Sequence, residues 1–399
     1  MHNNMLILLI IFYIFITLLP HQVFAQAQLT ETDEIIEDIL RQNNSTSKIS
    51  IITHSIKIGT HSDITQIFPE YDPENIINNL VKGNANINAH SLINRIVIYI
   101  LNEAYKNTSI IIKIFIITAL CSVLQSMQTS FFKKSVGELA FYTCYIVLIS
   151  LLLVTYKYAA ATVSGVIDSM VAFMHSTIPS LILLLSGSGN IVSAGILKPI
   201  TVAATEIGAT SLKNTVVPLI YFTFVASIVS NISENIHINR VHSFLKQLCN
   251  WAIGGIITVF VAIISLQGAL GATVDGVSSK TTKFAIGAFI PVVGKYLADA
   301  ADTIIGCTLL IKNAAGIAAM LGVIAICIIP ILKIIALITV YRIGEILIEP
   351  ISDRRIVQCV TQMGSSLTSM CGVVAAVAFM FMVSLTAIIT AGNISMMIR

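Results

Sequence analysis

Few side chains in this chain could do chemistry, and they are concentrated. Lys295, Asp299 and Asp302 fall at i, i+4 and i+7 within GAFIPVVGKYLADAADTIIG, a stretch otherwise apolar enough for a bilayer. On a helix that spacing sets all three on one face. Charges at such depth are costly and usually face a bundle interior or a cavity. One reading makes the three a polar lining for a conduit or an ion site. The other makes Asp302 the N-cap of a helix opening at Thr303, with Asp299 paired to Lys295 at an interface. The second is preferred, because capping accounts for one carboxylate without further assumptions. A second constellation, Ser186-Gly187-Ser188-Gly189-Asn190, lies between two apolar runs. A serine nucleophile on a tight turn wants G-x-S-x-G, and Ser188 lacks the first glycine. His175, the one histidine well inside a span, has no evident orienting carboxylate. Gly187, Gly189 and Asn190 therefore read as a helix break, which survives at membrane depth only where protein or a cavity shields it. Asp168 and Glu206 read as interfacial, near the ends of their spans. The chain has no G-x-x-x-x-G-K-[ST], no H-E-x-x-H and no Cys/His cluster with zinc spacing. The expectation is no catalytic residue, no cofactor and no metal.

Holding such residues requires apolar elements, and the composition supplies them. Apolar residues make up 56% of the 399 and charged ones 11%, where a soluble domain carries about 25% charged. The mean hydropathy is +0.88. These values predict an all-α, polytopic integral membrane bundle. The net charge of +3 is too small to argue for nucleic acid. The seven cysteines all lie in or beside apolar segments and read as buried free thiols.

Residues 1–25 read as a signal peptide: Leu6 to Leu19 is a short apolar run, with Val23 and Ala25 fitting the small-residue pattern before a cleavage site. An uncleaved anchor is the alternative, since no Lys or Arg precedes the run. Residues 26–108 hold ten of the chain's twenty acidic residues and read as an extracytoplasmic polar, helical region. Within it Leu92, Ile93, Ile96, Val97, Ile100 and Leu101 recur at helical spacing. A span needs about 20 apolar residues, which gives ten candidates: 109–129, 139–157, 163–185, 190–210, 215–232, 251–271, 284–300, 303–323, 325–341 and 366–391. Of these, 190–210 and 303–323 are short enough to be half-helices or re-entrant arms. With the amino end exported, Lys133, Lys134, Arg240, Lys246, Arg342, Arg354 and Arg355 all fall on the cytoplasmic side.

Register suggests duplication. An offset of 112 residues carries Pro179 onto Pro291 and Pro218 onto Pro330 without a gap. The first membrane helices, 109–162, then precede two like-oriented repeats, 163–274 and 275–399, unlike the inverted repeats of many transporters. The loops before the last span of each repeat carry apolar stripes, Ile236, Ile238, Val241, Phe244, Leu245 and Leu248 in one, Ile356, Val357 and Val360 in the other. Each reads either as a helix lying on the inner surface or as a solvated loop.

Several stretches together are more specific than a membrane pattern: LCSVLQSMQTSF (120–131), IPSLILLLSGSGNIVSAGILKP (178–199), the run from Gly276 to Gly316, PISDRRIVQCVTQMGSSL (350–367) and TAGN (390–393). On these the chain resembles the stage III sporulation protein AE family of endospore-forming Firmicutes over nearly its whole length. The resemblance implies a multi-pass component of the channel assembly joining mother cell and forespore. Such a protein is made in the mother cell, sits in the outer forespore membrane and supports late forespore transcription. It implies as partners the other products of the same operon, including a secretion-type ATPase and ring-forming proteins, and a forespore channel protein. The competing reading from the residues alone is a self-sufficient secondary transporter using Asp299 and Asp302.

Overall fold

The computed structural model describes residues 89–131, 134–232, 239–289 and 294–398. Among them there is no strand. The order is α1 (Ala89–Lys106), α2 (Thr108–Phe131), α3 (Lys134–Gly187), α4 (Ile191–Ser211), a π-helical turn (Leu212–Val216), α5 (Val217–Ile232), α6 (Asn239–Phe289), α7 (Gly294–Ile348) and α8 (Arg354–Ile398). The proposed signal peptide, most of the region 26–108, Lys133, Ile236, Ile238 and Pro291 lie outside the described residues.

The helices are longer than the hydropathy pattern predicts. Segments 139–157 and 163–185 lie in the 54-residue α3, and 303–323 and 325–341 in the 55-residue α7. Hydropathy drops at Lys157 and Tyr158, but Ala159, Ala160 and Ala161 follow. Alanine is the best helix former, so a polar interruption is no backbone interruption. Among the described residues, five helical stretches are long and apolar enough to cross a membrane: Phe141–Gly187, Ile191–Asn231, Val241–Gln267, Thr303–Ile348 and Arg354–Ala391. A sixth is the α1–α2 pair, bent by 42°. Pro179 and Pro330 sit inside helices, where the missing N–H frees one carbonyl four residues back. The π-helical turn comes immediately before α5, whose second residue is Pro218. A widened turn fits a chain that lacks that donor.

Side-chain contacts set the topology. Tyr145 and Tyr156 of α3 donate to the carbonyls of Ile228 (3.2 Å) and Val217 (3.3 Å), so α4 and α5 run back down α3. Gln267 of α6 donates to the Ile196 carbonyl of α4 at 3.2 Å. Near the start of α6, His242 Nδ1 lies 3.1 Å from the Thr223 carbonyl of α5. Thus α6 rises again, α7 descends and α8 rises. Helix α8 is the centre, packed against α3, α4, α5, α6 and α7. Val360, Met363, Leu367, Met370, Val374, Val377, Phe381, Leu385 and Ile388 are fully buried along it. Their steps of three and four keep one stripe inward over seven turns.

Two expectations change here. Ile356 and Val360 are buried in the core, so that stripe belongs to the first turns of α8 and faces the bundle. Val241, Phe244 and Leu248 are exposed, but on the opening of the continuous α6 rather than on a separate surface helix. Helix α1 packs Ile96, Tyr99 and Ile100 against Ala325, Ile329 and Leu332 of α7, while Val97 and Leu101 are exposed.

Candidate functional site

The Gly187–Asn190 stretch is the turn between α3 and α4, and its hydrogen bonds form a Schellman-type stop. Asn190 N–H donates to the Leu185 carbonyl (3.3 Å) and Gly189 N–H to that of Ser186 (3.0 Å). Gly189 has φ of 79°, the left-handed conformation that closes this motif and that glycine alone adopts without a Cβ clash. Ser188 and Asn190 are fully buried. The Ser188 hydroxyl donates to the Leu185 carbonyl at 2.7 Å, and Asn190 Nδ2 donates to Ser188 Oγ at 2.9 Å. The amide side chain therefore ties the turn to itself and does not cap α4, which starts from the Asn190 carbonyl accepting Ala194 N–H.

Helix α7 lies across this turn. A Cβ on Gly187 would stand 3.7 Å from Thr308 Cγ2. Lys295, Asp299 and Asp302 are on the first turns of the same helix, which begins at Gly294 and runs unbroken past them. Asp302 thus caps no helix at Thr303, and 298–302 is no break. Where the three side chains point lies outside the described residues.

One turn beyond Thr308 is a charge that reading by pattern missed. Lys312 has no exposed surface, and its Nζ donates to the Ile389 carbonyl of α8 at 2.8 Å. Among the described residues no carboxylate pairs with it. Its neighbour Asn313 donates to Asn393 Oδ1 at 3.4 Å, and the Asn313 Oδ1 is buried without a partner. At Gly316 the helices approach closely: a Cβ there would meet Ile389 Cγ1 at 2.5 Å. A lone lysine inside the apolar run TLLIKNAAGIAAMLGVIAIC was the available signal.

A second polar group lies half-way along the bundle. Lys213 Nζ reaches both oxygens of Asp168, at 2.6 and 2.7 Å. Seven residues up α3 and seven back along α4, His175 Nε2 is 3.7 Å from Glu206 Oε2. His175 thus has a carboxylate nearby, and Asp168 and Glu206 lie well inside the apolar stretches Phe141–Gly187 and Ile191–Asn231. The seam's floor is Met174, Ile178, Thr205 and Phe381. Among the described residues no three His, Cys, Asp or Glu side chains gather as for a metal. All seven cysteines are free, six of them buried.

A group of charged residues with Lys246, Arg342 and Arg355 lies at the opposite end from the Gly187–Asn190 turn. Lys246 donates to Ser365 Oγ at 2.7 Å, joining α6 to α8. Arg342 and Thr361 both donate to the carboxylate of Glu345, at 2.9 and 2.7 Å. Arg355 pairs with Asp353 and lies 4.3 Å above the Phe141 ring of α3.

Residues 71–392 match the family model described as stage III sporulation protein AE. The chain is 31% identical over 319 residues to the stage III sporulation protein AE of Bacillus subtilis (strain 168), covering 80% of each chain. No solved structure matches it.

Proposed function

This chain belongs to the stage III sporulation protein AE family, and we propose that it is the multi-pass membrane component of the channel assembly between mother cell and forespore. Family membership and the apolar helices support a role in sporulation at a membrane. The finer reading places the chain in the outer forespore membrane, made in the mother cell, with the part of the region 26–108 that precedes α1 in the space between the membranes. The observation that carries it is the basic end. The openings of α6 and α8 lie together there, joined by Lys246–Ser365, while Glu345 ties the end of α7 to α8 through Thr361 and Arg355 pairs locally with Asp353. By the distribution of Lys and Arg this end faces the mother-cell cytoplasm. It offers a rigid, charged platform on which the operon's secretion-type ATPase docks, while the ring-forming proteins and the forespore channel protein meet the other end.

The tandem repeat is part of the same proposal. The 112-residue offset lays α4, the π-helical turn and α5 on the greater part of α7, and the start of α6 within a turn of the start of α8. Each repeat is then a descending helical run followed by a rising helix. Residues Gly187, Gly189 and Asn190, with Lys295, Asp299 and Asp302 on α7, form the polar region at the far end where a conduit would open.

The test is photo-crosslinking in sporulating cells, with the crosslinker at Gln247 or Arg354 and spore yield scored in parallel. The expected product joins this chain to the ATPase of its operon. Loss of the chain is expected to leave engulfment complete while late forespore transcription and spore yield collapse. Normal spores without the chain, or adducts only with proteins from the intermembrane side, would end the proposal.

A further inference from the structure

Among the described residues, the surface along the α3–α4 seam differs from the apolar outward faces of lower α3 and of α6. Lower α3 exposes Leu139, Ile146, Val147, Val154 and Tyr158, and α6 exposes Trp251, Val259, Ile263 and Leu266. Between Tyr158 and Leu183, α3 exposes no large apolar side chain. Its outer positions there are Ala161, Gly165, Asp168, Ala172, His175 and Ser176. Beside them α4 exposes Gly195, Ala203, Glu206 and Thr210, with Ile200 and Ile207 one step round the helix. Asp168 is 62% exposed, His175 46% and Glu206 55%. Two carboxylates, an imidazole and an ammonium half-way along apolar helices do not face lipid. Small residues are what membrane helices present where another backbone comes close.

We propose that this seam docks a second copy of the chain, related by a two-fold axis parallel to the helices. The charges are arranged for it. Helix α3 carries the acid (Asp168) below and the base (His175) above, whereas α4 and the π-helical turn that continues it carry the acid (Glu206) above and the base (Lys213) below. A two-fold rotation about the membrane normal sets α3 of one copy against α4 of the other at equal height. Asp168 then faces the partner's Lys213, and His175 faces the partner's Glu206, in both directions at once, as an isologous contact requires. An inverted copy is excluded by the single direction in which a membrane protein inserts. Gly165 and Ala172 on one side, with Ala203 on the other, let the backbones approach. The proposal needs only the bundle and its direction in the membrane, so it stands apart from the sporulation channel.

The test is crosslinking in membranes between two differently tagged full-length chains, one carrying Ala172→Cys and the other Thr210→Cys. Chains without an introduced cysteine serve as the control. The expected result is an oxidative crosslink between the tags. Asp168→Lys in both copies, or Lys213→Asp in both, is expected to lower it about tenfold, the size of one interhelical polar contact in a membrane. Pairing an Asp168→Lys copy with a Lys213→Asp copy restores the crosslink. Each chain then still carries a like-charged pair of its own, so only contact between copies explains the rescue. Failure of the unmodified seam to crosslink in inserted chains would overturn the proposal, as would equal crosslinking of the variants alone and together. Labelling of both cysteines by a water-soluble maleimide would make the seam an aqueous lining instead. Adducts solely with another protein would assign it to that partner.

Discussion

At the scale of single residues, Gly189 and Lys312 make opposite predictions. Gly189 sits at φ of 79°, so a Cβ there meets the following carbonyl and costs about 1–2 kcal/mol. Gly189→Ala is expected to lower the thermal midpoint in detergent, and Gly189→Asn to lower it less. Gly187→Ala, whose new Cβ finds an ordinary 3.7 Å contact with Thr308, should leave it unchanged. Equal effects at 187 and 189 would mean that the turn is not closed as described. Lys312 is a buried ammonium with one main-chain acceptor. Desolvation of an ion costs several kcal/mol, and replacing buried ions by apolar groups of like volume is often stabilising, by about 1–4 kcal/mol. Lys312→Met is therefore expected to raise the thermal midpoint. A fall would show that the bond to Ile389 outweighs the burial. Of these two positions only the first was legible. SGSGN declares a turn by composition, whereas Lys312 is one polar letter in an apolar run, and only the packing of α7 on α8 shows that it cannot reach water.

At the scale of elements, the legible part was which residues are helical and apolar, and the illegible part was where helices stop. Hydropathy divides α3 at Lys157 and α7 after Val323, yet the backbone runs through both because no donor is lost and no carbonyl is blocked there. Conversely, Asp302 has the right residue type for an N-cap, but the eight residues before Thr303, from Lys295 onward, are already helical. The stripe Ile356–Val357–Val360 was correctly apolar on one face. Whether such a face meets lipid or protein depends on neighbours far along the chain, here Phe141 and Tyr145 of α3. Helix packing also predicts a coupling that the sequence does not announce. Gly316 leaves room for the branched side chain of Ile389, which a Cβ would meet at 2.5 Å. Gly316→Ala is expected to cost about 1–3 kcal/mol through overpacking. In the background of Ile389→Ala the same change should cost little, because the clashing atoms are gone. A double-mutant cycle in detergent unfolding measures this, and additivity of the two changes would refute the contact.

At the scale of the molecule, length is the dominant fact. A 46-residue stretch such as Thr303–Ile348 extends to about 70 Å at 1.5 Å per residue, against a hydrocarbon core of about 30 Å. The bundle is therefore taller than the bilayer, and its two ends differ. The openings of α6 and α8 share one end with Arg342, Glu345 and Arg355, while the Gly187–Asn190 turn, Lys312 and Asn393 share the other. This arrangement requires one sidedness. Cysteines replacing Gln247 and Arg354 should react with a membrane-impermeant maleimide only from the cytoplasmic side. One replacing Asn393, about 60 Å further along α8, should react only from the exported side. Opposite labelling of positions 247 and 354 would break the pairing of α6 with α8, because Lys246 and Ser365 touch in the fold at 2.7 Å. It would also remove the platform on which the docking of a cytoplasmic ATPase depends. Labelling of all three from one side would leave the bundle intact but turn α8 into a helix that does not cross.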